Sequence, residues 1–119
     1  MPKRTDRLDS EFRREIAAIL AGPVKDKEPF LSGLVSVTEV HVSPDLKNAK
    51  VYVSIYEKDP AAKKRSFEII CSNAGVVRHH LAQRMRLRTV PALTFLPDES
   101  MEYGSKMDEL FASLHKDET

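Results

Sequence analysis

A chain of 119 residues, 41% hydrophobic and 31% charged, is long enough to bury one core and too short for two, which excludes a large multi-site enzyme and a disordered polymer. Its formal net charge of +1 conceals an uneven distribution: residues 1–60 balance ten basic against ten acidic side chains, residues 61–90 carry seven basic and one acidic, and residues 97–119 carry two basic and seven acidic. A basic middle beside an acidic end is the asymmetry of a nucleic-acid-binding patch.

The first predicted element is a helix from about Thr5 to Ala21, because Leu8, Phe12, Ile16 and Ile19 recur at the spacing of one helix face. Asp6, Asp9 and Glu11 suit its positive N-terminal end, and Gly22-Pro23 is expected to stop it. Arg7, Arg13 and Arg14 lie off the stripe, either as a solvated face or as an extension of a nucleic-acid surface. Val24 to Gly33 reads as a polar loop.

Leu34 to Val42 is strand-like, but its alternation slips. Val35 and Val37 share one face and Val40 and Val42 the other, so either a bulge lies near Thr38 and Glu39 or both faces are partly covered. Ser43-Pro44-Asp45, closed by Asn48, forms a turn. Val51, Val53 and Ile55 then alternate with Tyr52, Ser54 and Tyr56, which predicts an antiparallel hairpin.

Asp59-Pro60 ends that strand, and Ala61 to Cys71 is predicted to be helical with Phe67, Ile70 and Cys71 on one side. Cys71 is therefore expected as a small core residue. Lys63-Lys64-Arg65 in the opening turns oppose the helix dipole, so local helix stability does not explain them. Ser72-Asn73-Ala74-Gly75 breaks the helix: Gly75 is expected to reach φ > 0, and Asn73 to cap the helix or present a donor. A second helix follows, with Val77, Leu81 and Met85 stacked along one face and His79, Gln83 and Arg86 turned away. Arg78, Arg84, Arg86 and Arg88 join the Lys63 cluster to place seven cations around this helix pair, and Arg matches phosphate oxygens with paired donors.

The last strand, Val90 to Leu96, contains Pro91, which favours an edge or the strand's first residues. Two strands, a helical crossover and a third strand predict an α/β fold with a three-stranded mixed sheet packed by helices on one face. Residues 1–97 are expected to form a single domain. Residues 98–119 form an extension in which Met107, Leu110, Phe111 and Leu114 suggest a short helix with a frayed end.

There is no P-loop, no Gly-x-Ser-x-Gly, no Cys-x-x-Cys and no pair of histidines at metal-ligand spacing, since His79 and His80 are adjacent. No enzyme, metal or cofactor is expected. Apolar runs fall short of a membrane span, the Met1-Pro2-Lys3-Arg4 start lacks a signal-peptide core, and one cysteine makes no internal disulfide, so a cytoplasmic protein is expected. With no Trp, recognition by base stacking is poorly supported, and contacts to the phosphate backbone of structured RNA fit better.

The helix, glycine-containing break and second basic helix resemble the RNA-contacting core of a KH domain. Met85-Arg86-Leu87-Arg88-Thr89-Val90-Pro91-Ala92-Leu93-Thr94-Phe95 is similar to the motif of the bacterial ribosome-binding factor A family. So are Arg4-Thr5-Asp6-Arg7-Leu8, Val42-Ser43-Pro44-Asp45-Leu46, Ala49-Lys50-Val51-Tyr52-Val53-Ser54, Asp98-Glu99-Ser100 and Lys106-Met107-Asp108-Glu109-Leu110, in the family's order. That family has an Ala-x-Gly kink, and Asn73 stands here at the kink alanine. The resemblance implies type II KH-like topology, α-β-β-α-kink-α-β. It also implies a monomeric assembly factor that binds free or immature small ribosomal subunits and leaves before translation. Late maturation and processing of small-subunit rRNA, including its 5′ terminal helix, would be its task. The candidate RNA-binding residues are Lys63, Lys64, Arg65, Asn73, Ala74, Gly75, Arg78, Arg84, Arg86 and Arg88.

Overall fold

The four-residue apolar stripe of the first segment makes a helix because that spacing places every large side chain on one side, where a sheet can bury it. In the computed structural model, which describes residues 4–98, this helix, α1, spans Arg4–Ile19 and fully buries Phe12, Ile16 and Ile19. Asp9 Oδ1 accepts a hydrogen bond from the Val42 N–H at 3.0 Å, fastening α1 to the sheet.

The predicted stop at Gly22-Pro23 does not occur. The chain continues as a π-helical turn, Leu20–Val24, with Pro23 inside it, and then as a short α2, Lys25–Lys27. Pro23 has no N–H to donate, and the widened turn takes its ring without ending the helix. Leu20 and Val24, four residues apart, are both buried, so continuing the helical path keeps two apolar side chains in the core. The expected loop is accordingly shortened to Glu28–Gly33.

Gly33 sets the entry to the sheet with φ of +81°, and a Cβ there would lie 2.6 Å from the Tyr56 carbonyl oxygen. Gly33→Ala combines left-handed backbone strain with a backbone clash and is expected to destabilise the fold by about 2 kcal/mol or more. Urea denaturation checks this, with a lowered midpoint at unchanged slope as the expected result.

Strand β1, Leu34–Val42, pairs antiparallel with β2, Asn48–Tyr56, from Leu34↔Tyr56 to Val42↔Ala49. The register shifts between Val37 and Glu39, so the slip in alternation is a bulge at Thr38, as the first of the two readings had it. Ala49, Val51, Val53 and Ile55 are buried while Lys50 and Tyr56 are exposed, so helices cover one face of the sheet. The turn between the strands is tied by the Ser43 hydroxyl, which donates to Asp45 Oδ1 at 2.6 Å and accepts from the Asn48 N–H at 3.0 Å.

After β2, the helices α3, Pro60–Ser72, and α4, Ala74–Met85, return the chain to β3, Ala92–Pro97. β3 lies parallel to β2 in the order β1-β2-β3, and Pro91 immediately precedes this edge strand, where its missing N–H costs no ladder bond. The result is the expected mixed three-stranded sheet in the order α-β-β-α-kink-α-β. The helix expected around Met107 to Leu114 lies outside the described residues.

Cys71 is exposed, contrary to its expected place in the core. Ala62, Ser66 and Ile70 form the inward stripe of α3 at four-residue spacing, which turns Cys71 outward by one helical step. Partial burial of its sulfur, and then the Glu68 carboxylate, raise the thiol above its ordinary value, which disfavours the nucleophilic thiolate.

Candidate nucleic-acid interface

The helix pair starts where Asp59 caps α3: its Oδ1 accepts from the Ala61 N–H at 3.1 Å, and Pro60 occupies the first helical position. Ala62, Ser66 and Ile70 then face the core, which leaves Lys64 and Arg65 exposed on the opposite side and Lys63 half-buried at the edge. Ser66 is buried without penalty because its hydroxyl donates to the Ser32 carbonyl at 3.1 Å and accepts from the Ser32 N–H at 3.0 Å. This pins α3 to the segment entering β1. The Arg65 guanidinium sits 5.9 Å from the centre of the exposed Phe30 ring, a cation–π contact.

The break falls on Asn73 alone, with φ −100° and ψ 14°, between α3 and α4. Asn73 is 2% exposed and serves as the C-cap of α3. Its side-chain amide donates to the Ile69 carbonyl at 2.8 Å and to Glu28 Oε1 at 3.2 Å, and its Oδ1 accepts from Lys27 Nζ at 3.2 Å. Of the two roles expected for Asn73, the structure shows the cap, with no free side-chain group turned to the surface. The helical continuation through Pro23 makes this possible, because it brings Lys27 and Glu28 to the kink. Asn73→Ala is expected to cost about 1–3 kcal/mol of stability, since a buried side chain that bonds Ile69, Glu28 and Lys27 is lost. Denaturation measures this loss, and binding per folded molecule is expected to stay within a few fold of the parent.

Gly75 corrects a second expectation. It is not among the positive-φ residues, it lies in the first turn of α4, and an added Cβ would meet nothing within 4 Å. The chain turns at Asn73 and needs no left-handed glycine. The first bond of the α4 ladder runs from the Val77 N–H to the Asn73 carbonyl at 2.9 Å, so the N–H groups of Ala74, Gly75 and Val76 precede the ladder. Gly75 is exposed, which bares this positive helix end where an anion can approach the backbone.

Beyond the kink, Val77 and Leu81 are fully buried and Met85 is half-buried, as the spacing predicts. The arginines divide by role. Arg78 donates from Nε to the Pro91 carbonyl at 3.0 Å and from its terminal nitrogen to the Val90 carbonyl at 2.8 Å, binding α4 to the approach of β3. Arg84 pairs with Glu15 of α1 through Nε. Arg86 ends α4 in the left-handed conformation at φ 53°, and the Leu87 N–H closes the cap on the Ala82 carbonyl at 3.1 Å. Leu87 and Val90 pack against the core, so the loop is anchored while Arg86 and Arg88 remain exposed. Lys64, Arg86 and Arg88 make no ion pair among the described residues.

Arg14 lines a cleft of about 250 Å³ together with Glu11, Glu15, Arg84 and Met85, so its charge faces carboxylates as well as a second arginine. The contact between α1 and α4 creates this proximity, and no periodicity within either helix signals it. Among the described residues no group of three His, Cys, Asp or Glu side chains could hold a metal ion.

Residues 4–111 match the family model of ribosome-binding factor A. The chain is similar to ribosome-binding factor A of Caldanaerobacter subterraneus subsp. tengcongensis, with 39% identity over 99% of this chain and 94% of the relative. It is 41% identical to that of Clostridium beijerinckii over 95% of this chain and 94% of the relative. Its fold is similar to the crystal structure of ribosome-binding factor A from Thermus thermophilus, with a TM-score of 0.64 at 25% identity, covering 80% of this chain and 97% of that one. It is also similar, with a TM-score of 0.61 at 26% identity over 78% and 93% of the two chains, to a Thermus thermophilus ribosome-binding factor A homology model fitted into the cryo-EM map of a complex with the 30S subunit.

Proposed function

The chain belongs to the ribosome-binding factor A family, and on that footing we propose that it binds free or immature small ribosomal subunits and assists the late maturation and processing of their rRNA, including the 5′ terminal helix. The feature that supports this reading is the kink at Asn73, which leaves Gly75 exposed at the start of α4, in a helix pair that carries exposed Lys64 and Arg65 on α3 and exposed Arg86 and Arg88 just beyond α4. Lys63, Lys64, Arg65, Arg86 and Arg88 supply charge, Ala74 and Gly75 supply backbone donors, and Arg78 and Arg84 hold the surface in place. Such a surface positions a protein on phosphates by shape and charge, without reading bases.

The mechanism is differential binding with no bond made or broken. The factor prefers one immature rRNA arrangement, stabilises it while neighbouring elements mature, and dissociates when that preference is lost. It acts as a monomer in the cytoplasm. Co-sedimentation with free small subunits, compared with assembled ribosomes, tests this reading. Enrichment on free subunits is expected, and equal or absent binding to both would defeat it.

A further inference from the structure

Glu28, Pro29, Phe30 and Leu31 form a tight turn, closed by a hydrogen bond from the Leu31 N–H to the Glu28 carbonyl at 3.1 Å, with Pro29 where its fixed φ suits a turn. The turn is fastened to α3 on both sides. Lys27 and Glu28 bond to Asn73 at the end of the helix, and Ser32 exchanges two hydrogen bonds with Ser66, about two helical turns earlier. Leu31 is buried, whereas the Phe30 side chain beside it is 65% exposed.

A single exposed apolar side chain needs no partner in itself. Phe30 differs in two respects: its backbone is held at both flanks, and the Arg65 guanidinium stands 5.9 Å from the centre of its ring. At that exposure the guanidinium covers only part of the ring. Arg65 makes no ion pair or hydrogen bond among the described residues, which leaves its N–H donors open to a ligand. An aromatic face with guanidinium donors at its margin matches the two ends of a nucleotide, a flat base and an anionic phosphate. The position is continuous with the candidate interface, since exposed Lys64 adjoins Arg65 and the turn's other anchor, Asn73, leads into the exposed Gly75.

We propose that Phe30 and Arg65 form a stacking platform for one unpaired rRNA nucleotide, its base on the ring and its phosphate on the guanidinium. The platform rests on the RNA-binding reading above and adds to it a contact that phosphate positioning does not supply. Every base has a π face, so the platform selects unpaired over paired rRNA and not one sequence over another. That preference separates an rRNA arrangement with a nucleotide still unstacked from one in which the same nucleotide has been paired.

Co-sedimentation with free small subunits across a salt series tests the platform on the parent, Phe30→Leu, Phe30→Trp and Arg65→Gln, each verified as folded by circular dichroism. Phe30→Leu keeps an apolar side chain but removes the π face, and is expected to weaken binding about tenfold at an unchanged log-log salt slope, because stacking releases no counterion. Phe30→Trp is expected to match or exceed the parent. Arg65→Gln is expected to weaken binding and flatten the slope by about 0.7 to 0.9. Parental affinity in Phe30→Leu, or a loss in Phe30→Trp as large as in Phe30→Leu, would overturn the platform. In a second arm, p-azidophenylalanine in place of Phe30 is photolysed on the subunit, and adducts on nucleotides are expected. Adducts on ribosomal protein alone would assign the ring to a protein partner, and no adducts would assign it to solvent; either overturns the proposal. Failure of the parent itself to bind subunits would remove the RNA-binding reading and the platform with it, whereas a parent that binds no better than Phe30→Leu removes the platform only.

Discussion

Exchanging Lys64, Arg86 and Arg88 together for Glu is expected to abolish binding to small subunits while the protein stays folded. All three side chains are exposed and make no ion pair among the described residues, so their exchange breaks no ion pair there. Arg84 is left in place because it pairs with Glu15, and Arg78 because it holds the Val90 and Pro91 carbonyls. Each phosphate contact releases counterions worth a log-log salt slope of about 0.7 to 0.9, so losing three is expected to flatten the slope by about 2 to 3. Near physiological salt that corresponds to roughly a hundredfold loss from neutralisation, and reversal adds repulsion to it. Circular dichroism and thermal melting verify the fold, and co-sedimentation across a salt series reads the slope. A folded triple variant with unchanged affinity and slope would show that these cations only solvate the helices.

The sequence made the sheet legible because strand alternation is local. The slip from Val35 and Val37 to Val40 and Val42 narrows the irregularity to Thr38 and Glu39, where the register decides for a bulge over two covered faces, and Pro91 marks the edge strand. What escaped was decided by long-range packing. Gly22-Pro23 carries a local stop signal, but burial of Leu20 and Val24 keeps the chain helical and delivers Lys27 and Glu28 to Asn73. Cys71 adjoins Ile70 in an apolar run, yet the inward position on α3 belongs to Ser66, whose burial depends on Ser32 in another segment. Sequence alone counts the cations of the helix pair, but the pairing of Arg84 with Glu15, far apart in the chain, divides anchoring arginines from exposed ones.

The kink glycine poses the sharpest separation of stability from binding. A glycine needed for φ > 0 would lose stability on substitution, but Gly75 is helical, exposed and unobstructed. Alanine is favoured over glycine in helices by up to about 1 kcal/mol, so Gly75→Ala is expected to leave the melting temperature unchanged or raise it by a few degrees. Its bare backbone therefore does nothing for the fold that alanine would not do better. If that bareness admits a phosphate to the N–H groups of Ala74, Gly75 and Val76, a methyl group there holds the anion away from the helix end. Small-subunit affinity is then expected to fall about tenfold, the loss of one charge-assisted hydrogen bond. Gly75→Val, bulkier at the same unobstructed position, is expected to bind more weakly still while remaining folded. Melting and co-sedimentation on the same preparations decide the matter: full affinity in both folded variants would place the rRNA away from the kink and leave only the flanking cations as the interface.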